Sequence, residues 1–442
     1  MNSLAQLIAS MSARGAHRFL WKPLSPNDNS KNQIYLAGNF SVMNAIPAGA
    51  PIAATSGSRQ TPIFRASVRF AWIDDLGEPH EAPGTQMILY PQYPEVRLSG
   101  FLQRASWSPS EVMASRDEGR ILVLGVAADG RVLAFAAAGD SSIARELTSL
   151  PKGESVGALR TLEWTTDQSS AARQQRLLDA LCRVSAKGWI RGWRLLDNEE
   201  QRPCTASNCV GVTLESELGI RANSVAGPDI EGWEVKAHSV ASLSRVRSGV
   251  ITLMTPEPTG GFYRAEGVER FVERYGYADT KGRQDRRNFG GIHKVGVFTA
   301  RTKLKLELNG YDIANAKLVD TAGSLTLIDA DDRIAAAWSF SSLLKHWSKK
   351  HMNAVYVPAL MKKDEHGPSY QFGANVLCAT GTDYLKLLRA LANGAVYLDP
   401  GIKVVTTDGR SIVKRRNQFR TGFAKLSSLY DQTVRVSSCT ES

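Results

Sequence analysis

The residues best suited to chemistry lie in one short stretch, Gly227-Pro228-Asp229-Ile230-Glu231-Gly232-Trp233-Glu234-Val235-Lys236. Pro228 and Gly232 interrupt regular structure on either side of Asp229. Glu234, Val235 and Lys236 then alternate, so in a strand Glu234 and Lys236 share one face and Val235 points the other way. Asp229, on the preceding bend, can converge on that face. Two carboxylates so placed offer hard oxygens to a Mg²⁺ ion that keeps several waters for a phosphate and a nucleophile. Lys236 can hold the attacking water and offset charge at phosphorus. An acid followed by Glu-x-Lys also occurs on ordinary surface strands as an ion pair; the Gly-Pro entry to Asp229 marks a sharp bend instead. About fifteen residues upstream, 211–220 carries Glu215 on a predicted helix pointing to the same end.

The chain that must position these groups has 442 residues, which favours two or three domains. With 43% hydrophobic and 22% charged residues it is ordinary globular protein, which excludes collagen, coiled coil and wholesale disorder. Lysine and arginine exceed the acids by 54 to 43, and a net +11 points to a polyanionic partner. Residues 1–170 carry 15 basic and 15 acidic side chains, whereas 171–442 carry 39 and 28, so the whole excess lies in the second part. The longest apolar stretch, 121–128, ends at Asp129-Gly130-Arg131, well short of the ~20 residues a spanning helix needs. No basic residue precedes the weak apolar run 4–11, so it does not read as a signal peptide. The cysteines are Cys182, Cys204, Cys209, Cys378 and Cys439. No CxxC or histidine pair accompanies Cys204 and Cys209, so no zinc site is expected, and an odd number of scattered thiols fits a reducing cytoplasm.

Residues 16–138 read as β-rich. A strand is expected over 64–72, and 120–127 and 131–138 flank the hairpin signal Asp129-Gly130. Residues 139–170 read as a polar linker with a short helix near 143–150. From 171 onward the texture is α/β, with helices predicted over 173–187, 213–218, 266–275, 339–350 and 382–392. Thr382 is the expected N-cap of the last, and Asn393-Gly394 its C-cap. Strands are expected over 232–237, 250–254, 295–298, 304–308, 325–328 and 353–357. Trp189, Trp193 and Trp347 are expected in the core. The domain reading is therefore 1–140, a linker 141–170, and 171–442.

In that order and spacing, 211–220 followed by 227–236 resembles the MvaI/BcnI family of type II restriction endonucleases. That family is related to the mismatch-repair nickase MutH within the PD-(D/E)xK fold. The resemblance runs over about 171–436. It takes in Gly188-Trp189-Ile190, Arg287-Asn288-Phe289-Gly290-Gly291-Ile292-His293, Lys345-His346-Trp347-Ser348-Lys349-Lys350-His351 and Arg420-Thr421-Gly422-Phe423. It implies that Asp229 and Glu234 bind the metal, that Lys236 is the catalytic lysine, that Glu215 is a helix-borne acid of the site, and that His293 lies by the scissile phosphate. The segment at Arg420 departs from the family's pattern and is given no role. The N-terminal part is similar to the effector domain of the EcoRII type, an all-β pseudobarrel of the plant B-three kind whose two arms grip the major groove. Lys22, Asn27, Asp28 and Gln33 would lie on the first arm, and Arg97, Arg104 and Trp107 on the second. Ser-Pro-Asn-Asp-Asn at 25–29 also reads as an ordinary turn.

Lys281, Arg283, Arg286, Arg287 and Lys294 with Asn288 form a basic stretch suited to guanine and phosphate contacts, and equally to a solvated loop. Lys414, Arg415 and Arg416 form a second basic run. The expected protein is a Mg²⁺-dependent type II restriction endonuclease of type IIE arrangement. It would act on double-stranded DNA at a short site such as CCWGG or CCSGG, leaving 5′-phosphate and 3′-hydroxyl ends. The resemblance further implies a monomer, with a cognate methyltransferase in the same system. The alternatives are a MutH-like nickase and a non-catalytic DNA-binding regulator, the latter disfavoured by the intact Asp229, Glu234 and Lys236.

Overall fold

The computed structural model describes residues 1–26, 33–151, 153–164, 170–206, 208–221, 229–244, 246, 249–407 and 410–439. Asn27 and Asp28, expected on the first arm, lie outside the described residues, as do Gly227 and Pro228. The chain divides into two compact units, Met1–Ala172 and Arg173–Ser442.

The first unit is dominated by two sheets. In the seven-stranded sheet the central strands Ala16–Pro23, Ile121–Ala127 and Val132–Ala137 pair antiparallel, and Val132–Ala137 continues in parallel onto Phe70–Ile73. Ile121–Ala127 and Val132–Ala137 are buried along their whole length, the mark of strands covered on both faces. The Asp129-Gly130 hairpin forms as expected, with Gly130 left-handed (φ 82°). The second sheet runs in the order Gln33–Ala37, Glu95–Ser99, Gln86–Tyr90, Thr61–Ser67, Ile52–Ser56.

Two expectations fail in this unit. The predicted strand 64–72 is two strands, Thr61–Ser67 and Phe70–Ile73, one in each sheet. The expected linker is part of the fold. Helix Ser142–Ser149 buries Ile143, Ala144 and Leu147 against Leu4, Leu7, Ile8 and Met11 of helix Leu4–Ala13, and strand Leu159–Leu162 extends the large sheet beside Ala16–Pro23. Its polar composition belongs to the outer face of that amphipathic helix.

The second unit is built on a six-stranded mixed sheet ordered Trp189–Arg191, Gly367–Phe372, Asn353–Asp364, Asn375–Thr380, Gln432–Ser437, with Glu234–Ser239 parallel to Asn353–Asp364. One face carries Val235, Val355, Val357 and Ala359 into a core closed by Leu177, Leu178, Leu181 and Val184 of helix Ser170–Ala186. Fully burying each such aliphatic side chain stabilises the fold by roughly 1.5–3 kcal/mol. Helix Cys209–Glu217 packs on Glu234–Ser239, and its Thr213 and Ser216 hydroxyls accept from the N–H groups of Trp193 and Leu195 (3.3 and 2.9 Å). Two three-stranded sheets and a four-stranded sheet (Tyr277–Ala278, Arg286–Gly290, Gly401–Thr407, Arg410–Lys414) complete the unit with two strand pairs.

Several local readings change. Residues 295–298 are a loop with a single bridge from Val295 to Leu306. The N-cap of helix Tyr384–Ala392 is Asp383, whose side chain accepts from Lys386 N–H, because Thr382 instead donates its hydroxyl to the Leu429 carbonyl. Trp189 is 42% exposed with the Lys362 ammonium 4.4 Å above its ring, whereas Trp347 is buried as expected. The cysteines are not scattered thiols: Cys182 is joined to Cys439 and Cys204 to Cys209, leaving Cys378 buried. The inference from free thiols to a reducing compartment therefore lapses. Among the described residues no helix is long and apolar enough to cross a membrane.

Candidate active site and nucleic-acid interface

Asp229 and Glu234 are brought together by a hairpin turn. Ile230 and Trp233 bridge each other, and the two residues between them, Glu231 (φ 52°) and Gly232 (φ 82°), are both left-handed. A two-residue turn of this hand suits Gly at its second position but costs a glutamate about 1 kcal/mol or more. The Glu231 carboxylate is forked onto Arg176 (2.8 and 3.1 Å), which ties the turn to helix Ser170–Ala186. Asp229 accepts a hydrogen bond from Val235 N–H at Oδ2 (2.9 Å), fixing it beside the first residues of the strand.

On that strand Glu234, Lys236 and His238 alternate onto the face opposite the aliphatic core. Glu234 is 4% exposed, and the Lys236 ammonium donates to its Oε1 at 2.8 Å. The parallel register sets Tyr356 beside Lys236. The Tyr356 and Tyr430 hydroxyls share a hydrogen bond of 2.8 Å, and burial, with the charge of Glu234 adding to it, pushes both phenols up. His238 stacks on Phe423 (centroids 4.9 Å), and burial pushes its imidazole down to about 4. Helix Cys209–Glu217, which packs against this strand, carries the half-buried Glu215. Among the described residues no three His, Cys, Asp or Glu side chains converge as a metal cage. Two carboxylates, those of Asp229 and Glu234, could serve as donors, and such a pair would suit a hard cation that retains its waters and takes phosphate oxygens.

The basic stretch is organised by an acid that sequence reading missed. Asp279 accepts from Asn288 Nδ2 (3.0 Å) and Lys281 N–H (2.8 Å) and pairs with Arg286 (3.0 Å). These bonds, the one from Asn288 first, hold its carboxyl below the usual carboxylate range. Arg286 also donates to Asn288 Oδ1 (2.9 Å), so the two are presented as one unit. Lys403 lies directly opposite Asn288 on one side and Lys414 on the other. Burial, then Arg286, Arg416 and Lys414, push its ammonium pKa down. Two of the expected site residues also serve the fold. Arg287 donates to the carbonyls of Glu273 and Gly276 (3.1 Å each) and so closes the end of helix Gly267–Tyr275. His293 is wholly buried, with Nε2 in a hydrogen bond to Thr302 Oγ1 (2.8 Å) and its ring stacked on Phe289. Its main chain bridges Leu398, not the sheet that carries Glu234 and Lys236, and burial pushes the ring down to about 4. The structure therefore does not give it the expected place at the phosphate.

A sequence profile of the MvaI/BcnI restriction endonuclease family matches residues 178–430, more than half of the chain, and this span includes Asp229, Glu234 and Lys236. The chain belongs to that family. As a member of the MvaI/BcnI family it is a site-specific DNA nuclease, a hydrolase of phosphodiester bonds. Among solved structures it is similar to restriction endonuclease MvaI in complex with cognate DNA, at 18% identity and TM-score 0.45, over 61% of this chain and 98% of that one. MvaI in the absence of DNA gives 16% identity and TM-score 0.33 over 61% and 99%. The B3 domain of the UbaLAI restriction endonuclease with cognate DNA gives 18% identity and TM-score 0.21 over 36% and 95%. Among curated proteins the chain matches none.

Outside the segment matched by the MvaI/BcnI profile, the first unit brings together part of the predicted arms. Gln33 and Arg97 lie on adjacent strands, and Arg97 donates to Gln33 Oε1 (3.2 Å) while pairing with Glu95 (2.9 Å). Arg104 is exposed and left-handed (φ 60°), and Trp107 packs its ring against His80 (5.2 Å). Lys22 is on the other sheet, and burial pushes its ammonium pKa down. Buried Arg120 donates to the carbonyls of Ser25, Val112, Met113 and Asp117, pinning the chain just past strand Ala16–Pro23.

Proposed function

We propose that this chain is a sequence-specific type II restriction endonuclease in which Asp229 and Glu234 hold Mg²⁺ and Lys236 serves the attacking water. The observation that carries this is the 2.8 Å pairing of Lys236 with buried Glu234, with Asp229 anchored to the same strand by Val235 N–H. The lysine ammonium has three donors, so it can keep Glu234 with one and orient a water or a phosphate oxygen with another. A divalent cation between the two carboxylates would polarise the phosphate and lower the pKa of a bound water. Water attacks phosphorus in line, the bond to the 3′ oxygen breaks, and 5′-phosphate and 3′-hydroxyl ends remain. Glu215, on the helix packed against the strand, would be a further acid of the site that orients water. Lys281, Arg283, Arg286 and Asn288 face double-stranded DNA, with Lys403 and Lys414 added to that set.

The first unit is read as an effector domain of pseudobarrel type, with Lys22, Asn27, Asp28, Gln33, Arg97, Arg104 and Trp107 toward DNA. Its net charge of zero gives little non-specific attraction, which suits a module that reads sequence. The enzyme would act as a monomer in the cytoplasm on a site such as CCWGG or CCSGG, beside a methyltransferase that protects it.

The test is digestion of mapped plasmids bearing one or two sites, with Mg²⁺, with Ca²⁺ and with chelator, followed by end sequencing. Wild type should cut both strands at one short sequence, only with Mg²⁺, and faster on the two-site plasmid. Lys236→Ala should bind and not cut. Cutting by Lys236→Ala at the wild-type rate would overturn the site. Nicks confined to one strand would replace restriction by nicking, and equal rates on both plasmids would remove the effector role alone.

A further inference from the structure

Residues 281–305 contain eight lysines and arginines and a single acid, Asp285, so this stretch carries +7 of the chain's net +11. Within it lie three exposed apolar side chains, Ile292 (54%), Val297 (56%) and Phe298 (49%). Large apolar groups left exposed within so basic a stretch are the mark of a surface that meets a partner. The loop that bears them is held at its base. His293 exchanges two main-chain hydrogen bonds with Leu398 (2.8 and 3.0 Å), Gly296 N–H reaches Leu306 O (2.9 Å), and Thr299 N–H reaches Leu304 O (2.8 Å). The buried His293 ring, bonded to Thr302 and stacked on Phe289, locks the same base from inside. Gly296 supplies the left-handed residue (φ 77°) that turns Val297 and Phe298 outward. The Lys305 ammonium, paired with Glu307 (2.7 Å), lies 5.0 Å over the Phe298 ring and braces it from one side.

We propose that Phe298, flanked by Val297 and Ile292, is a wedge that enters the duplex and partly unstacks a base step while the surrounding cations hold the phosphates. This rests on the reading of the chain as a DNA nuclease. The charge picks the occupant. A second copy of this surface would bring +7 against +7, whereas duplex DNA offers dense negative charge outside and apolar base faces within. An aromatic side chain at the tip of a rigid loop can open a step because the bases regain stacking on its ring.

The experiment uses full-length protein with Ca²⁺ and a duplex carrying the mapped site, with 2-aminopurine placed in turn at each adenine in and beside it. Binding of wild type should raise fluorescence several-fold at one step. Phe298→Ala should abolish that rise and weaken binding about tenfold, within the range of a lost base–aromatic stack. Phe298→Leu should retain part of the rise, and Lys303→Gln, at an exposed lysine of the same stretch, should weaken binding while keeping it. Melting temperatures check that each variant is folded. No rise with wild type at any position, or an undiminished rise with Phe298→Ala, would overturn the wedge. So would a dimer that sediments as a monomer after Phe298→Ala, which would assign the patch to a second copy. Failure of the nuclease reading itself looks different, as absence of Mg²⁺-dependent cutting by wild type.

Discussion

In strand Glu234–Ser239 the charged groups are sunk and paired: Glu234 is buried, Lys236 is bonded to it, and His238 is held neutral. In residues 281–305 the charges are mostly at the surface, and one acid, Asp279, organises Arg286, Asn288 and Lys281 from just outside that stretch. The first arrangement fixes a few atoms relative to one another, at the desolvation cost that buried ions carry. The second keeps cations available to a large polyanion and tolerates their mutual repulsion. On the reading proposed above, chemistry and grip would be separated within one unit, and the two regions should fail in different ways when altered.

The largest effect is expected at Asp229. Asp229→Ala removes a hard oxygen donor, and single-turnover cleavage with Mg²⁺ should fall by at least about a thousandfold. Binding of the cognate duplex in Ca²⁺, followed by fluorescence anisotropy, should change only a few-fold, because the role proposed for this group is to hold the metal and not to touch a base edge. If binding fell in step with cleavage, the separation between the two regions would not hold.

Each region also buries one neutral histidine, which gives a prediction of intermediate size. The folded-state values of His238 and His293, both about 4, lie below the ordinary histidine value of 6.5. As pH falls below about 6.5 the unfolded chain takes up protons that the folded chain refuses. The stability present above that pH is therefore lost progressively down to about 4. Each histidine should cost roughly 2 kcal/mol by pH 5. Melting of wild type between pH 8 and 5 should show the decline, and His238→Phe should flatten it while preserving the stack on Phe423. A melting temperature independent of pH over that range would mean that neither ring is held neutral by burial.

The pairing of Glu234 with Lys236 was legible in the sequence because alternation on a strand carries side-chain direction: the two had to share a face, and they do. The turn at Gly232 was legible for the same local reason. What was not legible came from distant chain. Tyr356 and Tyr430 reach the Glu234 side of the sheet through parallel register and a late segment, and no spacing near Asp229 signals them. His293 drew a functional reading from the family resemblance, and Arg287 from its place in a basic run. Burial and a helix terminus claim them instead, and neither can be read without tertiary contacts. The helix 142–149 was predicted, but its apolar partners in helix 4–13 lie more than a hundred residues earlier, so its segment looked like a linker.

The smallest expected effect is at Lys403, and it carries two signs. Lys403 faces Lys414 directly across the strand pair and feels Arg286 and Arg416 as well. Like charges directly opposite on a sheet are destabilising by a few tenths to about 1 kcal/mol. Lys403→Gln should therefore leave the melting temperature unchanged or slightly raised. The same substitution removes a cation from the surface proposed to face DNA, so the slope of log K against log salt should become shallower by about one. Between 50 and 200 mM salt, the wild type's advantage over the variant should then shrink roughly 3–4-fold. A lysine retained only for the fold would show the reverse, a lower melting temperature with an unchanged salt slope. Anisotropy titrations at four salt concentrations, with Lys187→Gln as the comparison because that lysine is paired with Glu217, decide between the two.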